Sequence, residues 1–398
     1  MNRSISSRPT GDLPPATGDG RTRILFLGLD RMGWSTYATS LVAATARRPD
    51  IDAVHLRFTG AGLKRAFSVP IPGGRNLLDS NVRRVLVARW LFSRWLAGPL
   101  DLRRFDVVHV VPQLYGLGLI DAAARTGTPF AAVCDATVLQ EKGELGGRTR
   151  AEVAHRWQPL LDAERKVFAA ADLVVAASAW AADGIAGEYG VTPDRLLVRP
   201  FAIAPGSNGE RPVADPVNPR PRIVFVGSDW KRKGGDRLLR WHQQHWSDTA
   251  ELHLCTPVAP PSGSRNVFHH AAMSRDQVVT RLLPSMDIFV LPTWNDMSPH
   301  VVGEAAAAGL PVVASGIGGI TEMVVDGTSG LLLAPSDEQG FIEALNRLLG
   351  DPELRRKMGA AARHHVERST AEGADDVVLD RLVALGGTKG ATVRRSVG

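Results

Sequence analysis

Short apolar runs recur along the chain at spacings a helix can fill: ILFLG at 24–28, FDVVHVV at 105–111, PFAAVC at 129–134 and LVVAAS at 173–178. Consecutive apolar residues suit strands buried on both faces, and the helical patterns between them supply crossovers. The N-terminal half therefore reads as a doubly wound parallel sheet. The alternation stops at AIAPGSNGERPVADPVNPRP, residues 202–221, which is rich in Pro, Gly and Asn and has no period, as suits a connector. It restarts with RIVFVG, ELHLC, NVFHH, DIFVLP, PVVAS and GLLLAP, a second parallel sheet. Three helical patterns close the chain near 337–349, 353–367 and 375–385.

The expected fold class is α/β, with two Rossmann-like doubly wound domains facing a central cleft at the C-terminal ends of their strands. The expected boundaries are a disordered leader at 1–20, a first domain at 21–203, a linker at 204–221 and a second domain at 222–370. A C-terminal helix at 371–386 is expected to pack back on the first domain, ahead of a disordered tail at 387–398.

Composition agrees with large buried cores. The chain has 398 residues, 44% of them apolar and 22% charged, which fits two domains and excludes a wholly disordered chain. No apolar run reaches the ~18 residues of a membrane span, and the leader lacks a signal peptide's apolar block, so a cytoplasmic protein is expected. Cys134 and Cys255, the two cysteines, lie far apart in apolar runs and suit core positions better than a disulfide framework. The net charge of +6 is localised: residues 1–200 hold 26 Lys and Arg against 19 Asp and Glu, while residues 201–398 hold 21 against 22. An anionic partner should therefore meet the first half, and nothing points to nucleic acid.

Candidate chemistry gathers in the second half. In FVGSDWKRKGGDRLL, residues 225–239, a strand ends at Gly227 and a loop offers Lys231, Arg232 and Lys233. Gly234 and Gly235 then free the backbone before a helix. Cations and amides at a helix start favour phosphate oxygens, although a solvated basic turn has the same composition. In TWNDMSPHVVGEAAAAGLPVVASGIGGITEMV, Asp296 falls in the loop after a strand and Glu304 on the following helix. A carboxylate there can accept both hydroxyl protons of a ribose. Two surface acids on an amphipathic helix is the plainer alternative. Between them Met297, Ser298 and His300 offer amides near a helix N-terminus.

The first half offers less. Gly33 opens a helix after strand one, but GLDRMG is not the GxGxxG fingerprint, which argues against a nicotinamide cofactor. Asp135, Thr137 and Gln113 lie at strand ends and are acceptor-side candidates, with turn capping the alternative for Asp135. His109 alternates with valines and reads as core. Residues 81–104 carry six Arg, two Trp and one Asp. They read as a half-buried helix with an Arg rim, or as a weak peripheral contact with an anionic membrane face.

FVGSDWKRKGG and DIFVLPTWNDMSPHVVGEAAAAGLPVVASGIGGITEMVVDGTSGLLLAP, with the strand and helix order, resemble family-4 glycosyltransferases of the GT-B type. The resemblance is specific over about 110 residues of the second domain and looser over ILFLGLDRMGWSTY, FDVVHV and AADLVVAASAW in the first. It implies a retaining glycosyltransferase that uses a nucleotide-diphosphate sugar as donor substrate, needs no cofactor or metal and has an acceptor of undefined structure, anionic or lipid-linked given the basic first half. Carried over by position, Glu304 holds the ribose, Asp296 lies near the donor sugar, and Lys233 with Arg232 neutralises the diphosphate. Gly33, Gly227, Ser298, His300, Gly318 and Gly319 line the donor.

Three departures stand out. The first acid is Asp where the family has Glu, Ser228 replaces the Arg usual after the strand glycine, and Val111 stands where many members have His. No Asp-x-Asp ends a strand; Asp50-Ile-Asp52 precedes one. The alternatives are a GT-B nucleotide-sugar epimerase or phosphorylase, and a catalytically silent sugar-nucleotide binding protein.

Overall fold

The computed structural model describes residues 2–5, 20–29, 33–58, 75–96, 100–201, 203, 220–271, 273–369 and 374–395. The chain divides into two compact units, residues 1–202 with 372–398, and residues 203–371.

The first unit holds a seven-stranded, all-parallel sheet. Its strands are β1 (Asn2–Ile5), β2 (Thr22–Leu29), β3 (Ile51–Phe58), β4 (Val107–Val111), β5 (Phe130–Cys134), β6 (Leu173–Ala176) and β7 (Leu196–Val198), in the order β1-β3-β2-β4-β5-β6-β7. The four apolar runs read from sequence are β2, β4, β5 and β6. β4, β5 and β6 are buried at every position, as an interior strand between two helix layers must be.

The second unit holds a six-stranded parallel sheet: β8 (Arg222–Val226), β9 (Glu251–Cys255), β10 (Val267–His269), β11 (Ile288–Leu291), β12 (Val312–Ser315) and β13 (Gly330–Leu333), in the order β10-β9-β8-β11-β12-β13. All six predicted runs become strands. Phe225, Phe289, Trp241 and Phe341 are wholly buried in its core, with Trp241 stacked on Phe341 at a centroid distance of 5.5 Å. Each sheet has a switch point, between β2 and β4 and between β8 and β11, where adjacent strands send the chain to opposite sides. Loops leaving such a pair diverge and open a crevice at the strand ends, which puts the loops after β8 and β11 side by side.

Two expectations are corrected. The leader is not wholly irregular: Asn2–Ile5 pairs with β3 from His55 to Phe58, because an edge strand leaves backbone N–H and C=O groups open to pairing. The tail is not irregular after 386 either, since the last helix runs from Ala374 to Arg395 through Gly386 and Gly387. It is anchored by tertiary contact. Val378, Leu379 and Leu382 join Ile24, Phe26 and Val107 in a core of the first unit, and Lys389 Nζ donates to the carbonyls of Phe105 and Arg103. Glycine's helix penalty of about 1 kcal/mol is smaller than the gain from such burial. The linker expected at 204–221 lies outside the described residues except for Arg220 and Pro221.

Candidate active site

The loop after β8 is built around its own turn. Lys233 N–H donates to Asp229 O at 3.0 Å, Gly234 N–H to Lys231 O at 3.1 Å and Gly235 N–H to Trp230 O at 2.9 Å, curling residues 229–235 into the start of the helix Gly235–Trp241. Gly227 leaves room for the lysine. A Cβ there would stand 2.7 Å from Lys233 Cδ, so the Lys233 stem crosses the bare strand end.

The loop after β11 is fastened to it. Trp294 N–H donates to Arg232 O at 2.8 Å, Thr293 Oγ1 donates to the same carbonyl at 3.1 Å, and the Arg232 guanidinium donates to Asn295 O. Arg237, 6% exposed, lies 4.1 Å from the centroid of the Trp294 ring and holds the loop from below by a cation–π contact.

These fastenings bring the predicted charges together. Asp296 Oδ2 is 2.8 Å from Lys233 Nζ and 3.5 Å from Arg232 Nη1, and the Asp296 and Lys233 side chains are each 12% exposed. Gly319 N–H donates to Met297 O at 2.7 Å, and a Cβ on Gly318 would meet the carbonyl oxygens of Asp296 and Met297 at 2.8 and 2.9 Å. The double glycine thus seats the loop after β12 against the acid. Ser298 is 9% exposed, and its hydroxyl has no hydrogen-bond partner among the described residues. A buried hydroxyl left open this way is disposed toward a ligand.

His300 and Glu304 lie on the helix His300–Ala307. Burial, with Arg275 and Lys233 nearby, pushes the His300 imidazole down to about 4, so it is neutral at physiological pH. Glu304, 4% exposed, accepts from Arg275 Nε at 2.7 Å. Burial raises its pKa, while Arg275 and then Lys233 pull it back toward the ionised form. Arg275 was not foreseen; the only local signal is the capping box Ser274–Gln277 that starts its turn.

In the first unit the strand ends are arranged differently. Gly33 is the first residue of the helix Gly33–Ala46. The expectation that Gln113 faces an acceptor is corrected. It is 5% exposed, and its amide donates to Ala136 O at 3.1 Å and Glu164 Oε1 at 3.0 Å. A buried amide must satisfy its donors internally, and Gln113 spends both on the loop after β5 and on Glu164, leaving none for an acceptor. Glu164, wholly buried, also accepts from Val138 N–H at 2.9 Å and from the Tyr189 hydroxyl. It braces the segment after Asp135, which is itself half-buried. His109 is core, as its alternation suggested: 1% exposed, 3.0 Å from the Tyr37 hydroxyl and pushed down to about 3 by burial.

The helix within 81–104 spans Ser80–Leu96. It buries Val82, Val85, Phe92 and Trp95, and exposes Trp90, over which Arg94 lies at 5.8 Å.

Comparison with known proteins places both units. The chain is 28% identical over 235 residues to the D-inositol 3-phosphate glycosyltransferase of Corynebacterium aurimucosum, a match spanning 52% of this chain and about half, 55%, of that relative. Among solved structures it superposes on sucrose-phosphate synthase from Thermosynechococcus elongatus with a TM-score of 0.67 at 18% identity, covering 95% of this chain and 99% of that one. It superposes on Anabaena HepE in complex with UDP-glucose with a TM-score of 0.61 at 15% identity, covering 94% and 100%. At such identities these structures speak for the fold. The family model for "Glycosyl transferase 4-like domain" matches residues 21–202 and that for "Glycosyl transferases group 1" matches residues 220–351, so most of both units is accounted for, and the chain belongs to the family-4 glycosyltransferases of GT-B type.

Proposed function

We propose that the protein transfers a sugar, with retention and without a metal ion, from a nucleoside diphosphate sugar to an anionic acceptor. The observation that carries the reading is the pairing of Lys233 and Arg232 with Asp296 at the β8 and β11 strand ends, beside a helix start and an unpartnered buried hydroxyl. As the sugar leaves, charge builds on the diphosphate, and the nearly buried Lys233 together with the partly exposed Arg232 stabilises it directly. That role supports metal independence. HepE has been solved with UDP-glucose, which supports a donor of this class. An anionic acceptor accords with the basic first half and with the inositol phosphate in the relative's name.

Thermal-shift screening over UDP-, GDP- and ADP-sugars tests the donor, because a ligand that binds only the folded state raises the melting temperature by mass action. The anomeric configuration of the product and turnover in EDTA then test retention and metal independence. Release of nucleotide only when acceptor is present separates transfer from epimerisation.

We also propose a cytoplasmic location with weak peripheral contact at an anionic membrane face. Leu77, Leu78, Leu86 and Trp90 are 62%, 55%, 37% and 57% exposed, and Arg89 and Arg94 flank the last two. Among the described residues no helix is long and apolar enough to cross a membrane. Cosedimentation with vesicles containing phosphatidylserine should fall for Trp90→Ala with Leu86→Ser. Equal binding to neutral vesicles would refute the charge-assisted contact.

A further inference from the structure

The second unit pairs both of its donor-site acids with cations, and one of those cations lies outside the expected phosphate grip. Asp296 has Lys233 and Arg232. Glu304 instead has Arg275, from the turn Arg275–Gln277 that follows β10. We propose that Arg275 is a positioning residue for the donor nucleoside: its Nε–H fixes Glu304 through Oε1, leaving Oε2 to accept from the hydroxyls of a ribose cis-diol. The inference rests on the donor-site reading given above.

Three observations carry it. The Arg275 Nε to Glu304 Oε1 distance is 2.7 Å, that of a charge-assisted bond. Among the described residues the other carboxylate oxygen accepts no hydrogen bond, and it is not sealed from solvent even though Glu304 as a whole is only 4% exposed, so it is open to a ligand's hydroxyl. The turn bearing Arg275 is rigidly started, because Ser274 and Gln277 form a reciprocal capping box, with Ser274 N–H donating to Gln277 Oε1 at 2.9 Å and Gln277 N–H to Ser274 Oγ at 3.2 Å.

The charges facing Glu304 are Arg275, from the segment after β10, and Lys233, from the loop after β8. His300, one turn earlier on its own helix, is neutral. Without Arg275, burial dominates. The carboxyl then holds its proton to higher pH and accepts poorly from hydroxyls.

The test is the dissociation constant of UDP, GDP or ADP, whichever the wild type binds, from pH 5.5 to 8.5, with inorganic pyrophosphate as a probe lacking ribose. Arg275→Ala should weaken nucleotide binding about tenfold at pH 7. The loss should shrink as pH rises and Glu304 ionises, and pyrophosphate binding should be unaltered. Arg275→Lys should recover most of the affinity. Nucleotide binding unaffected by Arg275→Ala, or equal losses for nucleotide and pyrophosphate at every pH, would overturn the positioning role while the donor site stands. A wild type that binds none of the three nucleotides would overturn the donor reading and this inference together.

Discussion

Lys233 Nζ stands 2.8 Å from Asp296 Oδ2, with both side chains all but removed from solvent. The acid therefore neutralises part of the cationic loop before any ligand arrives. Two unit charges at this separation interact by several kcal/mol at an effective dielectric of about 20, an upper bound once desolvation is counted. Asp296→Asn removes that competition. Free nucleoside diphosphate should then bind roughly fivefold tighter at low salt, with a steeper salt dependence, because Lys233 faces it uncompensated and Arg232 keeps only Asp229. Turnover should fall, since product leaves more slowly. Calorimetric titration at two ionic strengths measures both, and weaker binding in Asp296→Asn would show that the acid supports the ligand directly.

Lys233→Ala tests the other partner. Arg232 stays 3.5 Å from Asp296 and also donates through Nε to Asp229 Oδ2 at 3.0 Å, so it supplements Lys233 without being able to take its place. Removing a preorganised charge stabiliser costs on the order of 10²–10³ in turnover. The loss should appear in kcat at saturating donor. A change confined to KM would assign Lys233 to ground-state binding alone.

Much of this site was legible in the sequence because it depends on local spacing. Gly227, Lys233, Asp296, Glu304 and Gly318 each follow a strand whose apolar run is unmistakable, and parallel-sheet topology then brings their loops together. Arg275 was not legible, because its partner is 29 residues away and the approach exists only in the folded sheet. Glu164 left a trace: Leu160, Leu161, Val167 and Phe168 form the buried stripe of its helix, and Glu164 falls on it. A carboxylate on an apolar helical face signals a buried acid with dedicated donors. Gln113 misled for the converse reason, since strand-end placement does not say whether an amide's donors are already spent on its neighbours. The short edge strand β1, NRSI, has no apolar run and pairs through its backbone, and β7, the three residues Leu196–Val198, is too short to stand out as a run.

Gly234 is where backbone geometry holds the two loops together. Its φ is +76°, and a Cβ would stand 2.1 Å from Pro292 O, a backbone atom that cannot move aside cheaply. Gly327 has a similar φ of +71° but open space around its Cβ position. Gly327→Ala should cost about 1–2 kcal/mol, the left-handed penalty alone. Gly234→Ala should cost more and also weaken nucleotide binding, because the Pro292 strand end must retreat from Lys233. Denaturant melts of the two variants give the comparison, and equal losses would show that the close approach relaxes without cost.

Glu164 makes a prediction about pH. Burial pushes its carboxyl up to about 7, against hydrogen bonds from Tyr189, Gln113 and Val138 that favour ionisation; Glu188 adds to the rise. The folded state thus binds a proton more tightly than the unfolded chain, whose Glu titrates near 4.3. The stability contributed is fully present below about pH 4.3 and is lost as pH rises through about 7, amounting to about 3 kcal/mol. His55 and His109 act oppositely. Held down to about 4 and 3 by burial, they add stability as pH rises toward 6.5. The wild-type profile mixes these slopes, but the difference from Glu164→Gln isolates one of them. The variant should be more destabilised relative to wild type at pH 5 than at pH 8, by about 3 kcal/mol in urea melts. A difference that stays constant with pH would mean that the donors around Glu164 outweigh its desolvation and keep it ionised throughout.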